Sequence, residues 1–164
     1  MNDSANSLRR ILVVANETAA GTVLRDAIIG RFGNERPQVL VVAPALNGRI
    51  HHWLSDLDGA RRAAEQRLIV CVERLEAVGI EAEGIVGDAD PLLAIWDALR
   101  AFTADEIVIV THPESRSHWL ARNVVARVRR VFALPVVHVI SDASSAEGSA
   151  TRGGTRPAER LAAA

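Results

Sequence analysis

Short apolar segments alternate with helical segments along most of this sequence. Five segments have the composition of strands: 10–15, 38–43, 80–86, 106–111 and 135–140. Four segments between them have the spacing of helices: 21–32, 56–78, 91–102 and 119–132. A short, continuous apolar run is typical of a strand buried on both faces of a parallel sheet. Strands that alternate with helices predict one α/β domain with helices on both faces of the sheet.

The order of the strands follows from the handedness of their connections. Right-handed crossovers restrict a chain of this kind to a few arrangements, and we expect the common Rossmann-like order 3-2-1-4-5. In that order the chain reverses direction between the first and fourth strands. Ligands of open parallel sheets bind beyond the carboxyl ends of the strands at such a reversal. Two loops flank this point, residues 16–22 and 112–117, and we expect any ligand site there.

Composition excludes several classes of protein. Hydrophobic residues make up 49% and charged residues 24% of the chain, as in ordinary globular proteins. The formal charge of −1 gives no overall attraction to nucleic acid or to an acidic membrane, and we expect neither as a partner. All 19 basic residues are arginines. The absence of lysine excludes a Walker-type phosphate loop and Schiff-base chemistry.

The two ends of the chain differ in composition from its centre. We expect residues 1–8 and 142–164 to be disordered and residues 9–141 to form the domain, since the tail is rich in Ser, Gly, Ala and Thr without an apolar period. The start lacks the pattern of an export signal, and no apolar run is long enough to cross a bilayer. The single cysteine, Cys71, falls on the buried face of a predicted helix. We therefore expect a cytoplasmic protein.

The loop after the fourth strand carries polar groups suited to an anion. His112, Ser115, Arg116 and Ser117 precede a predicted helix start, where free N–H groups and the helix dipole favour negative charge. Arg116 could add a forked contact to a phosphate. In the alternative interpretation, one of the serines caps the helix and Arg116 lies in solvent.

No pattern of catalytic or metal-binding residues stands out. The histidines at 51, 52, 112 and 118 lack a specific metal spacing, and no Ser or Cys is placed with a His and an acid in a known pattern. His138 is interpreted as a strand residue with its hydrogen bonds satisfied. Asp88 or Asp90 is expected to cap the third helix, with Pro91 at its first position.

The chain resembles the universal stress protein family. Four segments carry the resemblance: 10–16 at the start, 87–88 before the third helix, 104–112, and 124–139. Each segment alone is a common α/β pattern, but their order and spacing are fairly specific. The resemblance covers about residues 9–140 and implies the same five-strand order.

The resemblance also implies a nucleotide site that has diverged. The ATP-binding branch of the family has a Gly-x2-Gly-x9-Gly-Ser/Thr motif after strand 4, but Val110, Pro113 and Arg122 take the places of its glycines. Asn16 stands where members often carry Asp. We therefore expect the serine and arginine side chains to replace the glycine cradle. The candidate ligand-binding residues are Asn16, Thr18, Val42, Gly87, Thr111, His112, Ser115, Arg116, Ser117 and Asn123.

For function, the resemblance implies a regulatory or stress-response protein that acts by ligand binding and association, with an adenine nucleotide as the candidate ligand. Family members commonly dimerise through the last strand, so we expect a homodimer through Pro135 to Ile140. One alternative is an ATP- or AMP-binding protein with slow ATPase activity. A related adenine-nucleotide hydrolase is another, although its motifs are not found. Catalysis has no positive support.

Overall fold

The structure is a computed structural model of the chain. It describes residues 8–15, 21–33, 35–45, 56–111 and 123–140. The strands are β1 (Arg10–Ala15), β2 (Gln38–Pro44), β3 (Glu81–Gly87), β4 (Glu106–Thr111) and β5 (Val136–Ile140). The helices within these ranges are α1 (Gly21–Phe32), α2 (Asp56–Glu76), α3 (Pro91–Ala101) and α4 (Val124–Val131). The termini for which we predict disorder lie outside the described residues, except for Leu8.

The sheet has the predicted arrangement. Its order is β3-β2-β1-β4-β5, and every neighbouring pair is parallel. β1 is central, with Val14 paired to Val42 of β2 and to Ile109 of β4. The predicted α/β class and strand order are therefore confirmed.

Two separate cores cover the two faces of the sheet. On the first face, alternate residues of the inner strands pack against α1 and α2, which contribute Leu24, Ile28, Leu68 and Leu75. On the second face, the other residues of the same strands pack against α3 and α4. Because successive side chains of a strand point to opposite faces, a continuous apolar strand supplies both cores at once. Cys71 is buried in the first core, as predicted, and this burial raises the pKa of its thiol.

The helix ends agree with the glycine signals of the sequence. Gly79, at φ 78°, follows α2, and its N–H donates to the carbonyl of Glu76 while the N–H of Ile80 donates to that of Leu75. This pair of bonds is a Schellman motif, which needs a left-handed residue and so favours glycine. The motif places the C-cap at Val78, the predicted end, while the regular α-helix ends at Glu76. Gly33 ends α1 with a similar left-handed conformation.

An ion pair connects α1 to the amino end of β4. Glu106 has a buried side chain, 4% exposed, and Arg31 on α1 is 48% exposed. Nε and Nη2 of Arg31 donate to Oε2 of Glu106 at 3.1 and 2.9 Å. The arginine thus neutralises a carboxylate that would otherwise be buried without a partner.

Among the described residues, no helix is both long and apolar enough to cross a membrane.

Candidate functional site

The candidate site lies where the chain reverses direction in the sheet. β1 and β4 are neighbours, with Ala15 at the end of β1 paired to Val110. α1 packs on the first face of the sheet, and α4, which comes later in the chain than β4, packs on the second face. Ligands of open parallel sheets bind beyond the carboxyl ends of two neighbouring strands whose following helices lie on opposite faces, which makes this end of β1 and β4 the candidate site.

Val42 and Gly87 lie close together beside this point. Val42 is fully buried in the second core, and Gly87 ends the neighbouring strand β3. A Cβ atom built on Gly87 would lie 2.9 Å from Cγ1 of Val42 and 2.6 Å from Cβ of Ala94 on α3. These distances are well below an ordinary carbon–carbon contact. Glycine at position 87 is therefore required for the close approach of α3 to the sheet.

Asp88 and Asp90 organise the start of α3. Oδ1 of Asp88 accepts a hydrogen bond from the N–H of Asp90, and Oδ1 of Asp90 accepts one from the N–H of Leu92, both at 2.8 Å. Asp90 is thus the N-cap, and Pro91 is the first helical residue, as predicted. Both carboxylates are engaged with backbone amides of their own segment.

Thr111, the last residue of β4, is buried and joined to β5. Its Oγ1 atom lies 2.8 Å from Nε2 of His138. Desolvation lowers the pKa of His138 below its usual value of about 6.5, and the positive charge of Arg129 on α4 lowers it further. The imidazole is therefore neutral at pH 7, and it can either donate to Thr111 or accept from it. His138 has the satisfied hydrogen bond that the sequence predicted.

The sequence did not predict that His138 contacts Thr111. Thr111 and His138 are 27 positions apart, and neither strand alone indicates that they meet. The signal was present in the register, since Ile109 is paired with His138 and Thr111 is on the same face of β4 two residues later. Predicted neighbouring strands with polar residues on one face could have identified this pair.

Asn123 is the N-cap of α4 and has an unusual conformation. Its φ and ψ are 50° and 34°, in the left-handed region that Asn tolerates better than most residues. The Asn123 side chain makes no capping hydrogen bond to α4, while its carbonyl accepts from the N–H of Arg127 at 3.0 Å. Amide groups of the first helical turn therefore receive no bond from the usual capping side chain. An uncapped helix start is a favourable place for an anion.

The structure thus places four of the ten candidate residues: Val42, Gly87, Thr111 and Asn123. Val42 and Gly87 are adjacent, Thr111 ends β4, and Asn123 is the N-cap of α4. Six candidates lie outside the described residues: Asn16, Thr18, His112, Ser115, Arg116 and Ser117. For those six the sequence-based prediction stands as a prediction. Within the described part of the chain, no cluster of three His, Cys, Asp or Glu side chains could hold a metal ion.

Comparison with known proteins identifies the class of fold. No protein-family model matches the sequence. No curated protein matches it significantly. Solved structures of universal stress proteins, however, superimpose on most of the chain. One from Archaeoglobus fulgidus is 21% identical, with a TM-score of 0.56 over 80% of this chain and 93% of that one.

Two further structures of this class carry nucleotides. A universal stress protein from Archaeoglobus fulgidus in complex with dAMP is 18% identical, with a TM-score of 0.55 over 80% of this chain and 97% of that one. A universal stress protein family protein from Arabidopsis thaliana with AMP bound is 13% identical, with a TM-score of 0.54 over 86% and 97%. The chain has the universal stress protein fold, and the predicted resemblance is confirmed at the level of the fold.

Proposed function

We propose that this protein is a cytoplasmic, regulatory or stress-response protein that binds an adenine nucleotide beyond the ends of β1 and β4. The observation that carries the proposal is the reversal of the sheet at these two strands, in a fold whose solved neighbours include proteins with AMP and dAMP bound. The protein would act through ligand binding and association, without catalysing a reaction.

The start of α4 supports an anionic ligand. The Asn123 side chain does not cap the first-turn amides of α4, and Ser115, Arg116 and Ser117 precede this helix in the sequence. We assign the phosphate to these groups, with side chains in place of the missing glycine cradle. A charge-assisted hydrogen bond from Arg116 would provide the strongest single contact.

The remaining candidates have different roles in this proposal. Val42 and Gly87 form part of the packed wall behind the candidate site, because Val42 is fully buried and Gly87 lies against it. Thr111 holds the end of β4 through His138. Asn16, Thr18 and His112 come from the loops on either side and are proposed to contact the sugar or base.

Calorimetric titration with AMP, ATP and cyclic AMP tests the nucleotide proposal. We expect saturable binding by the wild type and a loss of about tenfold or more in Arg116→Ala, since a charged hydrogen bond contributes about 1.5–3 kcal/mol. Arg62→Ala is the matched control because Arg62 is an exposed arginine on α2. Absence of binding to the wild type would refute the proposal. Phosphate release, measured with Mg²⁺ and ATP in the same samples, separates binding from the alternative of slow ATPase activity.

We also propose that the protein dimerises through Pro135 to Ile140. β5 is an edge strand in which residues 136–139 are half-buried, three of them valines, and Ile140 is 51% exposed. The opposite edge, β3, carries the exposed residues Glu81 and Glu83, and charged side chains protect an edge from pairing. This difference between the two edges supports β5 as the edge that a second copy would cover.

Light scattering tests this interface. We expect a dimer at micromolar concentration and a shift toward monomer in Ile140→Lys. Ile85→Lys is the matched control, because Ile85 is an exposed isoleucine on the other edge strand. A wild-type monomer, or equal effects of both variants, would contradict the proposed interface.

A further inference from the structure

An apolar surface lies on the outer side of α3 and α4. Leu93, Trp96 and Val131 are 53%, 55% and 52% exposed, and we name these three residues the α3/α4 patch. Leu93 and Trp96 are one helical turn apart and so lie on one face of α3. The Trp96 ring packs 6.1 Å from the ring of Phe132, the residue after Val131. Phe132 belongs to the second core, so the core supports the indole at the surface.

Three exposed arginines lie on the same two helices as this patch. Arg100 follows Trp96 by one turn, Arg127 precedes Val131 by one turn, and Arg130 is next to Val131. All three arginines are exposed, and none has an ion-pair partner among the residues that the structure describes. α4 carries no acidic residue, and Asp97 is the acidic residue nearest to the patch on α3. Elsewhere, the half-buried Arg25 and the exposed Arg61 are paired with nearby carboxylates.

We propose that the α3/α4 patch binds an acidic amphipathic segment of another protein. The segment's apolar side chains would cover Leu93, Trp96 and Val131, and its carboxylates would pair with the three arginines. A partly exposed tryptophan with arginines on the same two helices has the composition of an interface centre. The charge pattern decides which partner fits, because the arginines need negative charges opposite them.

Two other occupants fit this surface less well. A second copy placed symmetrically would bring the same arginines against each other, and like charges in an interface are unfavourable. Proteins that bind single-stranded nucleic acid combine a positively charged groove with aromatic side chains that stack on the bases. Two of the three patch residues, Leu93 and Val131, are aliphatic, and the whole chain has a net charge of −1.

Fluorescence anisotropy with labelled 18-residue peptides tests the proposal. The probe is a helical peptide with leucines on one face and glutamates on the other, and the comparison peptide has lysines in place of the glutamates. We expect the full-length protein to bind the glutamate peptide with a Kd below about 100 µM. The lysine peptide should bind at least about tenfold more weakly, and 0.5 M NaCl should weaken the glutamate complex because exposed charges are screened.

Variants locate the binding surface. Trp96→Ala should weaken binding by about tenfold or more, as expected for a central aromatic residue. Leu93→Ala, at a residue with no described aromatic contact, provides a second variant if Trp96→Ala fails to fold. Replacement of Arg127 and Arg130 by glutamate should reverse the preference toward the lysine peptide. Ile69→Ala is the matched control, since Ile69 is 57% exposed on α2.

Each contrary result overturns the proposal in a different way. Lack of saturable binding, or equal affinity for both peptides, would show that an acidic segment is not the ligand of the patch. Conversion of a dimer to a monomer by Trp96→Ala would assign the patch to self-association. Tighter binding of a single-stranded oligonucleotide than of the glutamate peptide would assign it to nucleic acid. Thermal unfolding followed by circular dichroism identifies variants that have lost the fold.

Discussion

The packing around Gly87 leads to a prediction about stability. In Gly87→Ala the new Cβ atom would lie 2.6 Å from Cβ and 3.3 Å from Cα of Ala94, and 2.9 Å from Cγ1 of Val42. An unstrained contact between two carbon atoms is about 3.5–4.0 Å long. None of the three neighbours is the flexible end of a long side chain. Either α3 must move away from the sheet or β2 must shift.

The expected cost follows from two opposing terms. Added volume in a packed core costs about 1–3 kcal/mol. Replacement of glycine by alanine lowers the conformational entropy of the unfolded chain. Where the backbone conformation suits alanine, this raises the free energy of unfolding by about 0.4–1 kcal/mol. Gly87 does not have a positive φ, so alanine meets no backbone penalty there. We therefore expect Gly87→Ala to lower the free energy of unfolding by about 1–2 kcal/mol.

Urea denaturation followed by circular dichroism measures this cost. Gly30→Ala is the matched control, since no atom lies within 4 Å of the Cβ position and Gly30 is inside α1. That variant should be about 1 kcal/mol more stable than the wild type because alanine favours helix. Adding Ala94→Gly to Gly87→Ala removes the 2.6 Å contact, so the two substitutions should show favourable coupling.

The contact explanation fails if Gly87→Ala is as stable as the wild type, or if the two substitutions are simply additive. An additive result would mean that α3 relaxes without involving Ala94. A loss of nucleotide binding in Gly87→Ala with unchanged stability would instead assign Gly87 to the ligand.

Three further predictions concern single interactions. Asp90→Ala should destabilise the protein by about 1 kcal/mol, because α3 loses its N-cap bond to Leu92, and urea denaturation would detect it. Arg31→Met should cost about 1–3 kcal/mol at pH 7 by leaving Glu106 buried without its partner, and Glu106→Gln in the same background should recover part of that loss. The lowered pKa of His138 means that its contribution to stability is present above about pH 6.5 and is lost as the pH falls through the folded-state pKa. Arg129→Gln should raise that pKa in an NMR titration, and an unchanged pKa would exclude the electrostatic effect of Arg129.

Much of the fold follows from local patterns in the sequence. Continuous apolar runs predict buried strands, and Gly79 and Pro91 mark a helix end and a helix start. These signals act within a few residues of each other, so they are readable without the fold. To predict the strand order, only the handedness of the crossover connections is needed in addition, and this handedness is nearly the same in all such proteins. The location of the candidate site follows from that order.

The contacts between distant residues depend on tertiary structure, both at the candidate site and elsewhere. The bond between Thr111 and His138 requires the register of β4 against β5, and the ion pair between Arg31 and Glu106 requires the end of α1 to lie over the start of β4. Gly87 has a role only because α3 packs so closely on the sheet. The sequence by itself therefore determined the elements and their order, and it predicted where a ligand would bind. Tertiary structure decided which side chains meet, because contacts between distant residues depend on register and on packing distances that no local pattern encodes.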